Sequence, residues 1–553
     1  MDFLIRKTML AWRNRHLLFA EPQPTYQPLS TPEELELLSP DHPDYDPESA
    51  NRRNNISNSA VFDSALKEGY ASRGGWAAEM LPRWEWLRCI LLAFLVAVTP
   101  TFLRKGDGKV QKKLHPTAWL DGLRGVASLM VVFHHSSVLW YWPLNRGWGS
   151  SSEDYHFVQL PIIRLFYSGP AMVAIFFVVS GFSLSYKPLS LTRKARYEEV
   201  LDSLSSSVLR RGLRLVLPPA TTTFFSMLFT YFGFYGTGAG FSGTGSREPP
   251  QSPFLWEHLK SWYYSVIGLS DPFRPNNYPG GYDPVYDTNL WTIPVELHGS
   301  MVIFTTLLAL SRVRGRWRIA ILSGIVFYLS YYAYGHLFLF LSGVLLAELH
   351  HERESSSQLQ KTHTIENTDN ESPASDSPPP ISDEWTLMKS FWLANFFLAL
   401  FIISMPAIDL GAGNSPGYIL LSTYLPPHYA GVQYVQDTFW VFLAAFYLVC
   451  ILDNASFLQS IFTTRIAQYL GRISFALYIC HGTFLYTMGW ILSGRMLDWT
   501  GRQPGVQYAM GVGLTGVVMY PLLFWTADVV AREVDARSVT FARWLSNKIS
   551  VLD

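Results

Sequence analysis

Long apolar runs alternate along this chain with short charged connections, and the alternation predicts the architecture. A membrane-spanning helix takes about 20 mostly apolar residues. Candidate spans lie at 119–141, 161–185, 212–234, 289–311, 318–334, 335–350, 387–408, 436–453, 469–493 and 508–531. The fifth and sixth are separated by a very tight turn around Tyr334–Gly335. The expected fold class is all-α, a polytopic transmembrane helix bundle of about ten spans, with a disordered N-terminal region. No internal repeat is visible.

The polar stretches divide the chain. Residues 1–115 read as a cytoplasmic N-terminal region, and 21–80 within it are rich in Pro, Asn, Ser and charge, a composition that favours disorder. The apolar stretch near 89–103 contains Pro100, is short for a span, and reads as interfacial or re-entrant. The opening MDFLIRKTMLAWRNRHLLF lacks the apolar core and cleavage site of a signal peptide, and suits a basic amphipathic helix on a membrane surface. An organellar presequence is the alternative. The bundle covers 116–532, interrupted by a polar insert at 351–385 whose SPASDSPPP reads as a disordered loop. Residues 533–553 are a cytoplasmic tail suited to a surface amphipathic helix.

Composition sharpens this picture. Of 553 residues, 49% are hydrophobic and 16% charged, against about a quarter charged in soluble domains. The formal net charge of zero implies no general attraction to nucleic acid. The cysteines, Cys89, Cys450 and Cys480, all sit in apolar segments, which argues against a disulfide framework. Lys and Arg gather before span one (RKGDGKVQKK), between spans two and three, and between four and five (SRVRGRWR), whereas loop 409–435 has neither. The positive-inside rule then puts both termini in the cytoplasm, in the endoplasmic reticulum or the plasma membrane.

Ionisable residues inside spans are costly and mark function by default. In WLDGLRGVASLMVVFHH, Arg124 and His135 are eleven positions apart, about three helical turns, so both share one face at roughly 16 Å in height. His134 points about 80° away from that face. Asp121 precedes Arg124 by one turn and can pair with it. Glu296, in LWTIPVELHGS, lies about 10 Å below the lumenal entry, a level comparable to that of His135, so the carboxylate can orient the imidazole. Pro294 loosens the helix beside it. Arg124, Arg210, Arg211, Arg214 and Arg472 crowd cytoplasmic span ends, where a guanidinium cluster suits phosphate groups. His481 lies mid-membrane in GRISFALYICHGTF. Plainer readings stay open for each: structural histidines, a Glu snorkelling to the interface, and arginines placed by topology alone.

The residues just quoted resemble the acyltransferase-3 family of membrane O-acyltransferases. LDGLRGVASLMVVFHH is similar to its opening signature, an Arg or Lys, ten residues, then His, here Arg124 and His135. FFVVSGFSLS, RRGLRLVLPP, LWTIPVE, FLFLSGVLLAE and LGRISFALYICHG resemble its later elements, in order, from about 118 to 530. WTIPVELHGS and the polar insert look like fungal members. The resemblance implies transfer of an acyl group, often acetyl, from acyl-CoA to a hydroxyl-bearing acceptor, with acetyl-CoA as a cosubstrate and no bound cofactor. It implies His135 as general base, with Arg124 and Glu296 completing the catalytic set. Arg211, Arg214 and Arg472 would hold the donor, with Asp121, Trp291, Tyr478 and His481 in support. Relay through a covalent acyl-enzyme is the alternative to direct transfer. His134 beside His135 is a departure that leaves two candidate bases, between which helical phase and the ten-residue spacing favour His135.

Two other classes compete. Buried Asp, Arg, His and Glu also serve proton-coupled transport, although such transporters often show repeats and paired broken helices. A non-catalytic scaffold explains the hydrophobicity but not the shared face of Arg124 and His135. No HExxH or Cys–His cluster suggests a metal, and the glycine run Gly236–Gly245 reads as a flexible loop rather than a phosphate cradle. Lipid bilayer, acyl-CoA and acceptor are the expected partners; the oligomeric state is left open.

Overall fold

A computed structural model describes residues 99, 114–236, 249, 251–273, 284–368, 383–431 and 435–549, all within one compact unit, Leu95–Asp553. The N-terminal expectations, including the 89–103 segment apart from Thr99, lie outside the described residues, as do the glycine run beyond Gly236 and the middle of the insert. The described residues form helices and no strand. The longer ones, in chain order, are α1 (Ala118–Trp140), α2 (Gly169–Arg193), α3 (Tyr197–Tyr231), α4 (Leu255–Leu269), α5 (Thr292–Leu310), α6 (Gly315–Tyr331), α7 (Gly335–Thr368) and α8 (Asp383–Ile403). There follow α9 (Thr438–Asn454), α10 (Arg465–Phe484), α11 (Trp490–Thr500), α12 (Val506–Val530) and α13 (Ala536–Ile549). Single π turns, Leu485–Gly489 and Ala531–Asp535, join α10 to α11 and α12 to α13.

Every candidate span contains a helix, with several boundaries shifted. The pattern places the second span at 161–185, but α2 starts at Gly169, next to Pro170 at its first turn. The apolar stretch before it is a loop and a 3-10 turn, Ile163–Tyr167, tied down by Arg164, which donates to the carbonyls of Ser404 (2.7 Å) and Asn145 (2.8 Å). α3 starts at Tyr197 rather than near 212, and runs through Pro218 and Pro219. Thr223 there turns its hydroxyl back onto the Pro219 carbonyl one turn earlier (2.7 Å). α7 does not stop at 350 but continues to Thr368, so the first half of the polar insert is helical. α4 occupies what reads as a connecting loop.

Among the described residues, four helical stretches are long and apolar enough to cross a membrane: Gly169–Arg193, Thr288–Leu310, Arg465–Thr500 and Val506–Ile549. Leu387–Ile403 and Thr438–Asn454 are shorter apolar helices. The sequence count of ten exceeds this set partly because α6 has 17 residues, about 26 Å of rise against a core of about 30 Å.

Small residues bring the central helices together. A Cβ on Gly125 of α1 would stand 2.3 Å from the Gly471 nitrogen of α10, and one on Gly181 of α2 would stand 2.0 Å from the Phe340 carbonyl oxygen of α7. Backbones can approach this closely only where no side chain intervenes. Ser128 donates to the Ser474 carbonyl (2.9 Å), fixing the register of α1 on α10. On the cytoplasmic side of the topology expected from sequence, the fully buried Glu348 of α7 accepts from Arg193 of α2 (2.6 Å) and Arg318 of α6 (2.7 Å). Arg318 belongs to the SRVRGRWR run that reads as an orientation marker; it is a buried helix tie instead. α13 buries Ser538, Ala542 and Ser546 on one face and leaves Phe541 and Trp544 exposed.

Candidate active site

Five helices enclose one cavity of about 260 Å³. Arg124 comes from α1, and Arg211 and Arg214 come from α3, three residues apart and so on one face. Ser180 and Ser183 of α2 have the same spacing. Thr292 and Glu296 come from α5, with Ser474 and Tyr478 from α10. Val173, Phe176, Phe177 and Phe475 give it an apolar side. Three guanidiniums against one carboxylate make the lining electropositive, which suits an anion.

The arginines differ in depth. Arg214 and Arg124 have side chains 45% and 29% exposed and only distant carboxylates, Asp535 at 3.8 Å and Asp121 at 3.5 Å. Arg211 is deeper and is paired: its Nη2 lies 2.5 Å from Glu296 Oε1, and its Nε donates to Ser300 (3.1 Å). Ser180 donates to the same Glu296 oxygen (2.8 Å). The expectation that Glu296 orients His135 is therefore corrected: its carboxylate is held by Arg211 and Ser180. The two groups share a depth, but helix phase alone does not say which neighbour a side chain meets. Ser180 and Ser300 were missed. The first lies in FFVVSGFSLS, where two serines three apart amid apolar residues are a readable signal; the second has no comparable one.

His135 does not line the cavity. Its ring sits between two others, with centroids 5.0 Å from His134 and 5.1 Å from His481. No protein hydrogen bond reaches it among the described residues. His134 is committed elsewhere: its Nδ1 is 2.9 Å from the Tyr167 carbonyl, and its ring packs where a Cβ on Gly169 would stand, 2.3 Å from Cδ2. His481 is fully buried, with Nδ1 2.5 Å from the Tyr478 carbonyl and a ring centroid 5.6 Å from that of Tyr478. The Tyr478 hydroxyl meets Thr292 Oγ1 at 2.6 Å and bonds the Asn289 carbonyl. Tyr478 thus links the two parts, one side against the arginine cavity and the other against the histidines.

The remaining candidates fall outside this constellation. Arg472 is exposed, 5.7 Å over the Tyr469 ring, and absent from the cavity wall. Trp291, in the 3-10 turn Thr288–Trp291, packs near His336 with centroids 6.0 Å apart, also away from the wall. Asp121 has a largely exposed carboxylate that approaches Arg124. Among the described residues, no group of three or more His, Cys, Asp or Glu side chains is placed to hold a metal ion.

The family model described as an acyltransferase domain, of the acyltransferase-3 type, matches residues 117–527. The O-acetyltransferase PaAT-1 of Phomopsis amygdali is 34% identical over 454 residues, covering 79% of this chain and 86% of that protein. Acyltransferase R4 of a Phoma species is 25% identical over 73% of this chain and 90% of its own length. Acyltransferase clz18 of Cochliobolus lunatus is 24% identical over 76% and 93%. No solved structure matches. A match spanning all five cavity helices, with a relative this similar over most of both chains, shows that the chain is an acyltransferase and belongs to the acyltransferase-3 family.

Proposed function

We propose that the protein is a membrane-bound O-acyltransferase that moves an acyl group, acetyl in the first instance, from acyl-CoA to a hydroxyl on a small molecule such as a secondary metabolite, or on a carbohydrate. The observation that carries this reading is the convergence of Arg124, Arg211 and Arg214 on one cavity whose Tyr478 wall backs onto the His481–His135 pair. The name of the Phomopsis amygdali relative supports acetyl as the group and oxygen as the acceptor atom.

In this reading the outer arginines, Arg124 and Arg214, take the donor phosphates, and Arg211 sits further in, its charge balanced by Glu296. A cavity of about 260 Å³ is smaller than pockets that enclose a whole drug-sized ligand, so it suits the thioester arm, with the nucleotide outside. His135 accepts the proton of the acceptor hydroxyl as that oxygen attacks the thioester carbon. The carbon–sulfur bond breaks, and the proton returns from His135 to the leaving sulfur. His135 carries no competing protein hydrogen bond among the described residues, as a base awaiting a substrate requires.

A bilayer setting accounts for the apolar outer surface, where Trp256, Phe327, Phe391, Val517 and Trp525 are exposed. We read the helices as about ten spans with both termini cytoplasmic, an N-terminal region of 1–115, a catalytic bundle of 116–532 and a tail of 533–553. The test is free CoA release by the purified protein in lipid nanodiscs, supplied with acetyl-CoA and a panel of hydroxylated acceptors. Acceptor-dependent release, with a mass gain of one acetyl on the acceptor, supports the reading. Release that no hydroxyl compound stimulates, together with acetylation of an amine instead, refutes it.

A further inference from the structure

An imidazole that takes up a proton inside a bundle needs a partner for the resulting charge, commonly a carboxylate. Glu296 is held by Arg211 and Ser180. Of the two rings touching His135, His134 spends its Nδ1 on the Tyr167 carbonyl. His481 differs. Its Nδ1 faces the Tyr478 carbonyl, and because a carbonyl only accepts, that nitrogen carries the proton. In the neutral ring Nε2 is then an acceptor, and this atom is buried with no hydrogen-bond partner among the described residues. A buried unpaired acceptor is costly, so a site that keeps one has a use for it. The His135 and His481 centroids are 5.1 Å apart, and with each nitrogen about 1 Å from its ring centre, facing nitrogens come to roughly 3 Å, hydrogen-bond distance. The terminal torsion of histidine is broad, so His135 can turn into this contact as substrate arrives.

We propose that His481 is the positioning residue for His135: its Nε2 accepts a hydrogen bond from a His135 N–H, setting which His135 nitrogen faces the acceptor hydroxyl and stabilising the imidazolium that forms. His481 keeps its own proton throughout; the transferred proton passes from the acceptor oxygen to His135 and then to the thioester sulfur. Tyr478 couples this pair to the donor cavity, since its carbonyl fixes His481 while its ring forms the cavity wall.

The inference rests on His135 being the base, and the test separates the two claims. His481→Phe keeps a ring but removes the acceptor; His481→Gln restores an oxygen near the Nε2 position. The expected result is a roughly 10- to 100-fold lower kcat for H481F, with the acyl-CoA KM within about twofold of the parent, and recovery of most of that loss in H481Q. H481F with unchanged kcat, while His135→Ala stays inactive, overturns the positioning role and leaves the base assignment standing. Equal losses in H481F and H481Q, tracking loss of folded protein, also overturn it in favour of packing alone. An active H135A removes the base assignment itself.

Discussion

Glu348 gives the sharpest test of how the bundle is held. Its carboxylate is fully buried and takes one hydrogen bond each from Arg193 and Arg318, joining α2, α6 and α7. Arg318 is 3% exposed, and among the described residues it also donates to the Val313 carbonyl (3.1 Å). Glu348→Leu therefore leaves Arg318 as a buried charge without a carboxylate, a loss of about 3–5 kcal/mol. Arg318→Met leaves Glu348 paired with Arg193, and costs about 1.5–3 kcal/mol, the worth of one hydrogen bond to a charged group. Removing both leaves Arg193 with Glu352 at 2.8 Å, so the double variant should be more stable than E348L alone by about 2 kcal/mol. The assay is the fraction of protein remaining monodisperse by fluorescence-detected size exclusion after heating in detergent. The expected order of midpoints is wild type, then R318M and the double variant, with E348L lowest. A double variant no better than E348L, or an E348L midpoint equal to wild type, would refute the reasoning.

Other consequences follow from the cavity and its walls. Arg124→Gln and Arg214→Gln should each raise the acyl-CoA KM by roughly 10- to 100-fold, the value of one charge-assisted contact, while Arg472→Gln, outside the cavity, changes it less than about twofold; steady-state kinetics at varied donor checks both. Gly125→Val places a side chain where α10 backbone stands 2.3 Å away, and should lower the melting midpoint or abolish folded yield, at a cost of at least about 1–3 kcal/mol. Tyr478→Phe removes a buried hydroxyl that bonds Thr292 and the Asn289 carbonyl, and should cost about 1–3 kcal/mol in the same melting assay.

Much of the site was legible along single helices, because periodicity is a one-dimensional signal. The phase of α1 separated His134 from His135, and the structure finds the first against the Tyr167 carbonyl and the second against His481. Arg211 and Arg214, one turn apart, were readable as one face. Contacts between distant segments were not. Glu296 and His135 matched in depth, yet azimuth between helices depends on packing, and packing gave Glu296 to Arg211, 85 residues away. Charge counting could not tell Arg318, buried against Glu348, from an arginine left at a span end by topology. The apolar stretch from 161 passes as a span by hydropathy, but Arg164 inside it spends its donors on loop carbonyls and the helix waits for Gly169.

The central claim is that His135, and not His134, takes the proton of the acceptor. Acyl-transfer rates of His135→Ala and His134→Ala, measured on equal amounts of monodisperse protein at saturating acetyl-CoA, test it directly. H135A should lose roughly 10²- to 10⁴-fold, the usual contribution of a general base, while H134A, which gives up one neutral hydrogen bond to Tyr167, should stay within about tenfold of wild type. An H135A enzyme that turns over at near wild-type rate, or an H134A enzyme that is the inactive one, would contradict it.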